Sequence, residues 1–412
     1  MNLMLGKSLV GRFILQQPNT TSGSGGGGDS TYTYPVIDDA FYVAIYNSSG
    51  QIIKYLGSDI FESPLVEINF KLTTTGCGDF TLTLDKESAS LLTTNQRISI
   101  FMFGEQTPRY TGYVMERALV GSTSETLEIS GYGYYSKLEK LIVNKTYESV
   151  EIMAAVTDLI KTVISPKTGI TYNTLKMVAT DFTLTGQQFA YATAKDVIET
   201  LAEYTDDYVY GVDHLMEFFF KPRTTTINEN SRIWVGKHCT TFEPSEDTSD
   251  IVNYFYVKYG EEQDDGSNYY QDANGDPIAF SDAESITNYG YNEDVLTAST
   301  AITSTDVIRW GQMQLQSSKD PARSANVEGF TLDIIKRGIT PDGIAVVITD
   351  DGTEYQYEIT EVEYTLSGDD GVSMTLTLGD KPKGIDTYIQ NLIKAQKDAD
   401  ALEALNSATE DE

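Results

Sequence analysis

The sequence is poor in the residues that most enzymes use for catalysis or metal binding. Its 412 residues include two histidines, two cysteines and two tryptophans. Cys77 and Cys239 are far apart in the chain; one disulfide between them is an alternative, but isolated thiols are more often small buried side chains. Together with His214 and His238 they match no close-spaced zinc pattern. We therefore predict no metal site, no cofactor and no catalytic residue.

Sequence motifs of the common enzyme classes are missing as well. The chain has no nucleophile elbow, no P-loop and no dinucleotide-binding glycine pattern. Asp206 and Asp207 are adjacent carboxylates, but such a pair says little in a chain with 61 acidic residues. His214 could serve as a lone general base, with no orienting residue near it in the sequence. The sequence therefore favours a protein that is not an enzyme.

One acidic stretch resembles the beginning of a calcium loop. Asp272, Asn274 and Asp276 have the spacing of the first ligands of an EF-hand. Pro277 stands where that loop needs glycine, and Ala283 stands where it needs glutamate. We expect an Asn-Gly turn at this position instead of a calcium site.

Basic residues are also scarce, with 29 Lys and Arg against 61 Asp and Glu and a net charge of −32. Because duplex binding depends on Lys and Arg that neutralise phosphates, the general surface should not bind nucleic acid. No apolar run approaches the roughly 20 residues of a membrane span. The N-terminal region has no basic segment before a long apolar stretch and no clear cleavage site, which predicts no signal peptide and no membrane insertion.

What the sequence does contain, from Thr31 to about Leu141, is one strand pattern after another. "AFYVAIYN" and "IIKYLG" flank "SSGQ", which is typical of a hairpin. "LVEINFKL" and "DFTLTLDK" alternate apolar and polar residues, as half-buried strands do, and "RISIFMFG", "RYTGYVMERALV" and "ETLEISGYG" follow. Short strands separated by frequent turns predict a barrel or sandwich. After an N-terminal arm and Gly-rich linker (1–30), we assign residues 31–146 to a first β-barrel domain.

The periodicity becomes helical at Tyr147. "ESVEIMAAVTDLIKTVIS" places its apolar residues on one helical stripe, with Pro166 just beyond it. Thr193 and Asp196 form a capping-box pattern at the start of a second helix, and "DDYVYGVDHLMEFFFKP" is typical of a hairpin. We predict an α/β insertion domain over residues 147–225.

Strand patterns return in "RIWVG" and "IVNYFYVKYG". "STDVIRWGQMQLQSS" (304–318) has helical periodicity, and "VEGFTLDI", "GIAVVITDDGTEYQYEITEVEYTLSG" and "VSMTLTLGD" are strand-like, with Asp-Gly turns at 342–343 and 351–352. We predict a second β-barrel domain over residues 226–384, with a loop and helix insertion at about 261–325. The predicted fold class is mainly β with α+β insertions.

The remaining segment, 385–412, is predicted to be a helix with an acidic end. Its apolar residues follow spacings of 4, 3, 4 and 3, at Tyr388, Leu392, Ala395, Ala399 and Leu402. This seam is too short for a stable coiled coil. We predict a helix that docks on the same protein or on a neighbouring one, and the alternative is a solvated helix that frays.

The order of these parts resembles the baseplate-hub and tail-tip proteins of tailed phages and related injection machines, including the N-terminal part of tail-associated lysins. The quoted segments that carry the resemblance are "RYTGYV", "LEISGYGYYSKLEK", "TAKDVIETLAEY", "YGVDHLMEFFFKP", "DIVNYFYVKYG", "AESITNYGYNED" and "ITEVEYTLSGDDGVSMTLTLGDKP". Each motif alone is weak, and their order over about residues 35–385 is the signal.

The resemblance implies two barrels related to tail-tube subunits, joined by smaller α/β domains, in a homotrimer whose six barrels form a quasi-sixfold ring. A tail-tube or distal tail protein would lie above the ring and tip or fibre proteins below it. DNA would pass through a channel, and a negative lumen would keep it from sticking. The protein would be made in the host cytoplasm and would reside at the virion tail tip or baseplate.

Because the chain ends near residue 412, any lysin or fibre module would belong to other chains. Two rival interpretations remain open. The 27 tyrosines favour a receptor- or glycan-binding tail protein, although half-exposed strands favour tyrosine in any case. A cell-wall hydrolase would need a cleft that pairs His214 with acidic residues.

Overall fold

The computed structural model describes residues 41–57, 65–89, 92–117, 125–205, 208–259, 268–298, 303–367 and 371–379. The fold is mainly β with α+β parts, as predicted. The predicted N-terminal arm (1–30), the C-terminal helix (385–412), Asp206 and Asp207 lie outside the described residues.

The first strand group follows the alternation seen in the sequence. Its elements are β1 (Tyr42–Tyr46), β2 (Ile52–Gly57), β3 (Leu65–Thr73), β4 (Gly76–Asp85), α1 (Lys86–Ala89), β5 (Arg97–Phe101), β6 (Tyr110–Arg117) and β7 (Thr126–Gly133). In β4, Phe80, Leu82 and Leu84 are buried, whereas Thr81 and Thr83 between them are partly exposed. This pattern arises because successive side chains of a strand point to opposite faces of the sheet.

A 3₁₀ helix (Tyr134–Lys140) leads into the α/β unit. Its elements are β8 (Ile142–Glu151), α2 (Ile152–Leu159), a π-helical turn (Ile160–Ile164), α3 (Ser165–Thr168), β9 (Thr171–Met177), β10 (Thr183–Thr193), α4 (Ala194–Ala202), β11 (Tyr208–Val212) and β12 (Glu217–Pro222). The predicted start of the helical segment at Tyr147 is wrong. Residues 147–151 complete β8, which pairs with β10, and the helix begins only where the Glu151 side chain caps it.

The second strand group and its insertion complete the described chain. Their elements are β13 (Ile227–Trp234), β14 (Thr241–Asp247), β15 (Tyr254–Tyr259), β16 (Ala279–Ser281), α5 (Ala283–Tyr289), β17 (Glu293–Ala298), α6 (Ser304–Ser318), β18 (Ala322–Glu328), α7 (Leu332–Ile335), β19 (Ile344–Ile348), β20 (Glu354–Ser367) and β21 (Gly371–Gly379). The helix predicted over 304–318 has those bounds. Thr303 and Asp306 cap it reciprocally.

One prediction for this second group needs correction. The strand predicted across "VEGFTLDI" ends at Glu328, because Gly329 turns the chain at a φ of 71° and residues from Leu332 form α7. The Asp-Gly turn at 351–352 does connect a hairpin, β19 to β20. The turn at 342–343 precedes β19 without making a hairpin, since β19 pairs with β20 and β13.

The two strand groups share one order of neighbours. It runs β3-β4-β7-β6-β5 in the first group and β14-β18-β21-β20-β19 in the second, and a short helix, α1 or α7, stands at the same place in each. A pairing irregularity is repeated as well, between Val114 and Glu116 in β6 and between Ile359 and Glu361 in β20. The predicted domain boundaries themselves stay a prediction, which a superposition of the two groups would check.

The groups join edge to edge, because β20 pairs antiparallel with β3 over seven residue pairs. Within the described residues, sixteen strands thereby belong to one hydrogen-bonded network. A single apolar core lies beneath both groups. At their junction the rings of Phe70 and Tyr364 stack with centroids 5.1 Å apart, and Tyr110 lies 5.5 Å from Phe70. Such aromatic pairs add roughly 0.5–1.5 kcal/mol each beyond the area they bury.

The α/β unit and the insertion share a second core. Two contacts at α6 connect them: the Trp310 indole donates to the Glu203 carboxylate (3.0 Å), and the Arg309 guanidinium donates to the Tyr204 carbonyl (3.1 Å). The α/β unit also meets the first strand group, where the Val212 amide donates to the Thr75 carbonyl (3.0 Å). In the described part of the chain no helix has the length and apolar character that a membrane span requires.

Candidate functional surface

One face of the large sheet is polar across eight consecutive strands, from β14 through β18, β21, β20, β3, β4 and β7 to β6. The opposite face supplies the apolar core, with side chains such as Ile68, Leu82, Val362 and Leu376 fully buried. Because side chains alternate between the two faces of a strand, every second residue of these strands belongs to the polar face. We refer to this surface as the polar face.

Strand register aligns the polar residues into rows that cross strand boundaries. The four rows are Glu243, Asn326, Thr377, Glu361 and Thr73; Thr375, Glu363 and Lys71; Ser373, Thr365, Asn69, Thr81, Ser130 and Glu116; and Gly371, Ser367, Glu67, Thr83 and Glu128. The members of these rows are polar apart from Gly371, and the exposed apolar side chains in the same strands, Val66, Met115 and Tyr132, lie outside the rows. The rows pass from the second strand group into the first without a break, so both groups present one surface.

The charge of the polar face is negative. Within these four rows the carboxylates are Glu67, Glu116, Glu128, Glu243, Glu361 and Glu363, and Lys71 is the single basic residue. Lys71 is itself engaged, since its ammonium lies 3.9 Å from the Glu361 carboxylate. A surface of hydroxyls and carboxylates without free cations repels phosphate backbones at low salt and offers them no ion-pair partner.

Side-chain hydrogen bonds brace the polar face where the two strand groups meet. The Asn69 amide donates to the Glu363 carboxylate (2.7 Å) and to the Thr365 hydroxyl (3.0 Å). Farther along, the hydroxyls of Ser245 and Ser324 lie 2.8 Å apart. These contacts are between neighbouring strands of one sheet, so they fix side-chain orientation on the face without forming a pocket.

The histidines and cysteines considered in the sequence do not come together. Cys77 and Cys239 are buried free thiols, and burial raises the pKa of Cys77 to about 12 and that of Cys239 to about 11. Burial lowers the pKa of His214, and the Nδ1 atom of His238 accepts from the Trp234 amide at 3.3 Å. Across the described residues there is no group of three or more His, Cys, Asp or Glu arranged to hold a metal.

The Asn-Gly turn predicted at residues 272–276 is present. One carboxylate oxygen of Asp272 accepts from the backbone amides of Asn274 (2.8 Å) and Asp276 (3.0 Å). Gly275 adopts a φ of 87° at the tip of the turn. These hydrogen bonds lower the pKa of Asp272 below its usual value, with the Asp276 amide as the largest cause.

Tyrosines form a second surface feature, on the small sheet of β15, β16 and β17. The ring of Tyr254 lies 5.6 Å from that of Tyr256 and 5.9 Å from that of Tyr291, and Tyr256 lies 6.4 Å from Tyr269. Tyr291 is 68% exposed, and the Lys258 ammonium lies over the ring of Tyr269. We refer to these four tyrosines as the tyrosine cluster.

Sequence reasoning recognised the alternation of single strands but assigned no residue to the polar face. The missing information is register, since rows across eight strands depend on how β20 meets β3, about 290 residues apart in the chain. For the tyrosine cluster a signal was present, because Tyr254 and Tyr256 occupy one side of a strand, as residues i and i+2 do.

No family model and no curated protein matches the chain. Solved structures do match its fold. A 43 kDa tail protein of prophage MuSo2 from Shewanella oneidensis aligns with a TM-score of 0.60 at 14% identity, over 83% of this chain and 100% of that one. A tail protein from Neisseria meningitidis MC58 aligns with a TM-score of 0.56 at 12% identity, over 83% and 97%.

Prophage tail protein gp18 from Listeria monocytogenes EGD-e aligns with a TM-score of 0.53 at 14% identity, over 87% of this chain and 99% of that one. In all three cases the alignment covers nearly the whole of the matched protein. The fold predicted from the order of sequence motifs is thus the fold of these prophage tail proteins.

Proposed function

We propose that the protein is a structural component of a phage tail or a related injection machine, namely a hub at the tail tip that forms part of the DNA-ejection channel. The observation that carries the proposal is the polar face: an acidic surface that is continuous across two strand groups of the same order. A channel wall for DNA needs a surface that is wet, negative and free of unpaired cations, so that the passing duplex does not adhere.

The shared strand order supports the proposed assembly. A chain with two groups of one topology contributes two similar units to a ring, so three copies supply six. The proposed working state is therefore a homotrimer that meets a hexameric tube or distal tail protein on one side and tip or fibre proteins on the other. Its location is the virion tail tip.

The proposed role is not enzymatic. Asp213 directly precedes His214 in the sequence and is the nearest candidate to orient it. The Asp213 carboxylate, however, accepts hydrogen bonds from the Lys176 ammonium (2.5 Å) and from the backbone amides of Leu215 and Glu217. A carboxylate occupied in this way holds a turn together. The proposal therefore assigns cell-wall cleavage, where it is needed, to other chains of the particle.

The direct test is an image of the particle's tail tip by cryo-electron microscopy, which would locate the chain and count its copies. The charge of the wall is tested by Glu67→Lys, Glu128→Lys and Glu243→Lys together, three exposed carboxylates on the polar face. The matched control is Glu148→Lys, Glu284→Lys and Glu293→Lys, which makes the same change in net charge at exposed residues outside the eight strands of the polar face.

If the polar face lines the channel, the first triple variant binds duplex DNA in a salt-dependent manner and slows genome release from otherwise complete particles. The control triple variant then binds far less DNA and releases the genome at the normal rate. Equal behaviour of the two variants would contradict the channel role, and so would an image with the polar face on the outside of the particle.

A second candidate function, glycan or receptor binding, is favoured by the tyrosine cluster. Tyrosine rings combine flat apolar faces with hydroxyl groups, which suits contact with the C–H faces and hydroxyls of sugars. The small sheet that carries the cluster is an insertion between β14 and β18, outside the repeated strand order. A binding role for the insertion is compatible with a hub role for the sheet.

This second function predicts that the purified protein binds host cell-wall polysaccharide. Tyr254→Ala and Tyr291→Ala should weaken that binding at least tenfold in calorimetric titration. Tyr132→Ala is the control, because Tyr132 is also exposed (48%) but belongs to β7, away from the cluster. Equal binding by all three variants would remove the tyrosine cluster from consideration.

A further inference from the structure

The repeated strand order allows each contact in one group to be compared with its counterpart in the other. In the second group, β20 pairs along one edge with two strands in succession. Its residues 354–358 pair with β19, and its residues 361–367 pair with β3 of the first group. The change from one partner to the other coincides with the irregularity between Ile359 and Glu361.

β6 is the counterpart of β20 and begins in the same way. Its residues 110–113 pair with β5, the counterpart of β19, and the same irregularity follows between Val114 and Glu116. Counting from that irregularity, Glu116 corresponds to Glu361 and Arg117 to Val362. In the described part of the chain, however, no strand pairs with Glu116 and Arg117 on the side away from β7.

The strand that corresponds to β3 in the second group is β14, and its edge also differs from that of its counterpart. β14 pairs with β18 on one side, as β3 pairs with β4, but β3 also pairs with β20 on its other side. Within the described residues β14 has no strand on that second side. The register against β18 makes Asp247 correspond to Thr73 and Glu246 to Leu72. Among the described residues, one chain therefore has one complete junction, between β3 and β20, and two strand edges, on β14 and β6, that have no strand partner at the corresponding place.

From this comparison we infer that β14 of one copy of the chain pairs antiparallel with β6 of a second copy, in the register of the internal β3–β20 junction. The inference rests on the proposed hub function and names the surface by which its copies meet. It places Arg117 opposite Glu246 of the second copy and Glu116 opposite Asp247. The row that ends at Glu116 would then continue onto Asp247 of the second copy.

The chemistry of the two open edges suits a specific partner better than an indiscriminate one. Pro244 lies in the middle of β14 and removes one backbone donor, which on an edge strand discourages unspecific strand addition. Arg117 donates to the Leu92 carbonyl (2.8 Å) and Glu246 accepts from Arg323 (2.9 Å) within their own chains. The inferred register brings these opposite charges together, whereas Glu116 and Asp247 repel each other at low salt. A contact between two different edges is heterologous, and it closes into a ring when the rotation between copies permits closure.

Cysteine pairs test the junction directly, since residues directly opposite in antiparallel strands are near enough for a disulfide. The test variant combines Glu116→Cys with Asp247→Cys. The matched control combines Thr73→Cys with Glu361→Cys, the corresponding pair of the internal junction. Both native cysteines are buried free thiols, so neither competes during oxidation by oxidised glutathione.

We expect the control variant to form its disulfide within one chain. The test variant should form covalent oligomers up to the size of the closed ring, on non-reducing gels and by mass spectrometry. An equimolar mixture of the single variants Glu116→Cys and Asp247→Cys should give dimers and nothing larger. Each single variant alone should remain uncrosslinked.

Each alternative outcome contradicts the junction in a recognisable way. If mass measurement detects a ring but the test variant forms no disulfide, the copies meet elsewhere. The hub function then stands without this junction. Crosslinks within Asp247→Cys alone show a symmetric contact between two β14 edges. Crosslinks from Asp247→Cys to a different tail protein show that another partner occupies the edge. Monomers alone in assembled tail tips contradict both the junction and the trimeric hub.

Discussion

Two glycines determine how closely the α/β unit approaches the first strand group. A Cβ atom at Gly211 would lie 2.0 Å from the Thr75 carbonyl oxygen, and one at Gly76 would lie 1.9 Å from that of Val212. Gly76 also has a φ of 104°, which L-residues rarely adopt. At these positions the absence of a side chain permits the backbone contact between the two units.

We therefore predict that Gly211→Ala destabilises the protein by about 1–3 kcal/mol, the usual range for overpacking. The added methyl group must displace the segment at Thr75 and weaken the bond that its carbonyl accepts from Val212. Urea unfolding of the purified variant measures the effect. Gly57→Ala is the control, because nothing lies within 4 Å of a Cβ at Gly57. Equal losses in both variants would contradict the role of close approach.

Glu151 shows how a single carboxylate joins two elements. It caps α2 by accepting from the Ala154 amide (3.1 Å), and it accepts from the amide (2.8 Å) and hydroxyl (2.7 Å) of Thr180. Burial by itself pushes the pKa of Glu151 upward, but these hydrogen bonds outweigh burial and leave the pKa below its usual value. The ionised form is thus the one that the fold stabilises.

Because the folded-state pKa is lowered, this stabilisation is complete above the unfolded-state pKa of about 4.3 and is lost as the pH falls through the folded value. Glu151→Gln should lower the free energy of unfolding by about 1 kcal/mol at neutral pH. The difference from the wild type should shrink below about pH 4.3. Urea titrations across that range measure it, with the exposed Glu148→Gln as control. A difference that is constant with pH would show that charge is not involved.

Among the elements, the β3–β20 junction has the largest effect on the architecture, since it makes one surface from two strand groups. Its side-chain contacts are polar on one face and aromatic on the other, with Asn69 and Glu363 opposed to Phe70 and Tyr364. The junction therefore depends on both packing and the placement of charge. Charge is the easier of the two to change without altering volume.

Asn69→Asp should destabilise this junction at neutral pH, because it places a second carboxylate against Glu363 in place of the amide donor. The expected loss is about 1–3 kcal/mol, as for a partly buried hydrogen bond that is replaced by repulsion. Adding Glu363→Gln should restore most of the stability, as should acidification. Asn95→Asp, at an exposed turn, is the control. Failure of Glu363→Gln to rescue the first variant would show that the loss arises elsewhere.

The elements that the sequence predicted well are those with a local cause. The bounds of α6 follow from the Thr303–Asp306 capping box and its helical period, and hairpins follow from glycine turns such as Asp351–Gly352. α7 was missed because four residues are too short for a periodicity to be visible. The end of β8 was missed because its pairing with β10 overrides the helical pattern of residues 147–151. The polar face depends on register between distant strands, which no local pattern encodes.

At the scale of the whole molecule, the net charge of −32 affects every encounter between copies. Acidic copies repel one another over a Debye length of about 30 Å at 0.01 M salt but only about 8 Å at 0.15 M. The polar face concentrates this charge, and in the proposed ring the polar faces of all copies turn toward a common axis. Salt therefore favours assembly by screening the repulsion.

We predict that self-association strengthens by at least severalfold when NaCl is raised from about 0.01 M to 0.15 M. Sedimentation of the purified chain at matched concentrations measures the shift. The triple variant Glu67→Lys, Glu128→Lys and Glu243→Lys should depend less on salt, because it reduces the charge of the polar face. Association that weakens with added salt would show that attractive ion pairs between copies dominate.

The internal β3–β20 junction also has a consequence for the order of assembly. A ring of six similar strand groups from separate chains would form with a sixth-power dependence on concentration, whereas the proposed ring of three chains depends on the third power. Half of the joints in such a ring are present as soon as each chain has folded, and they cannot dissociate on dilution. The proposed ring can therefore complete at a lower chain concentration than a ring of six separate chains.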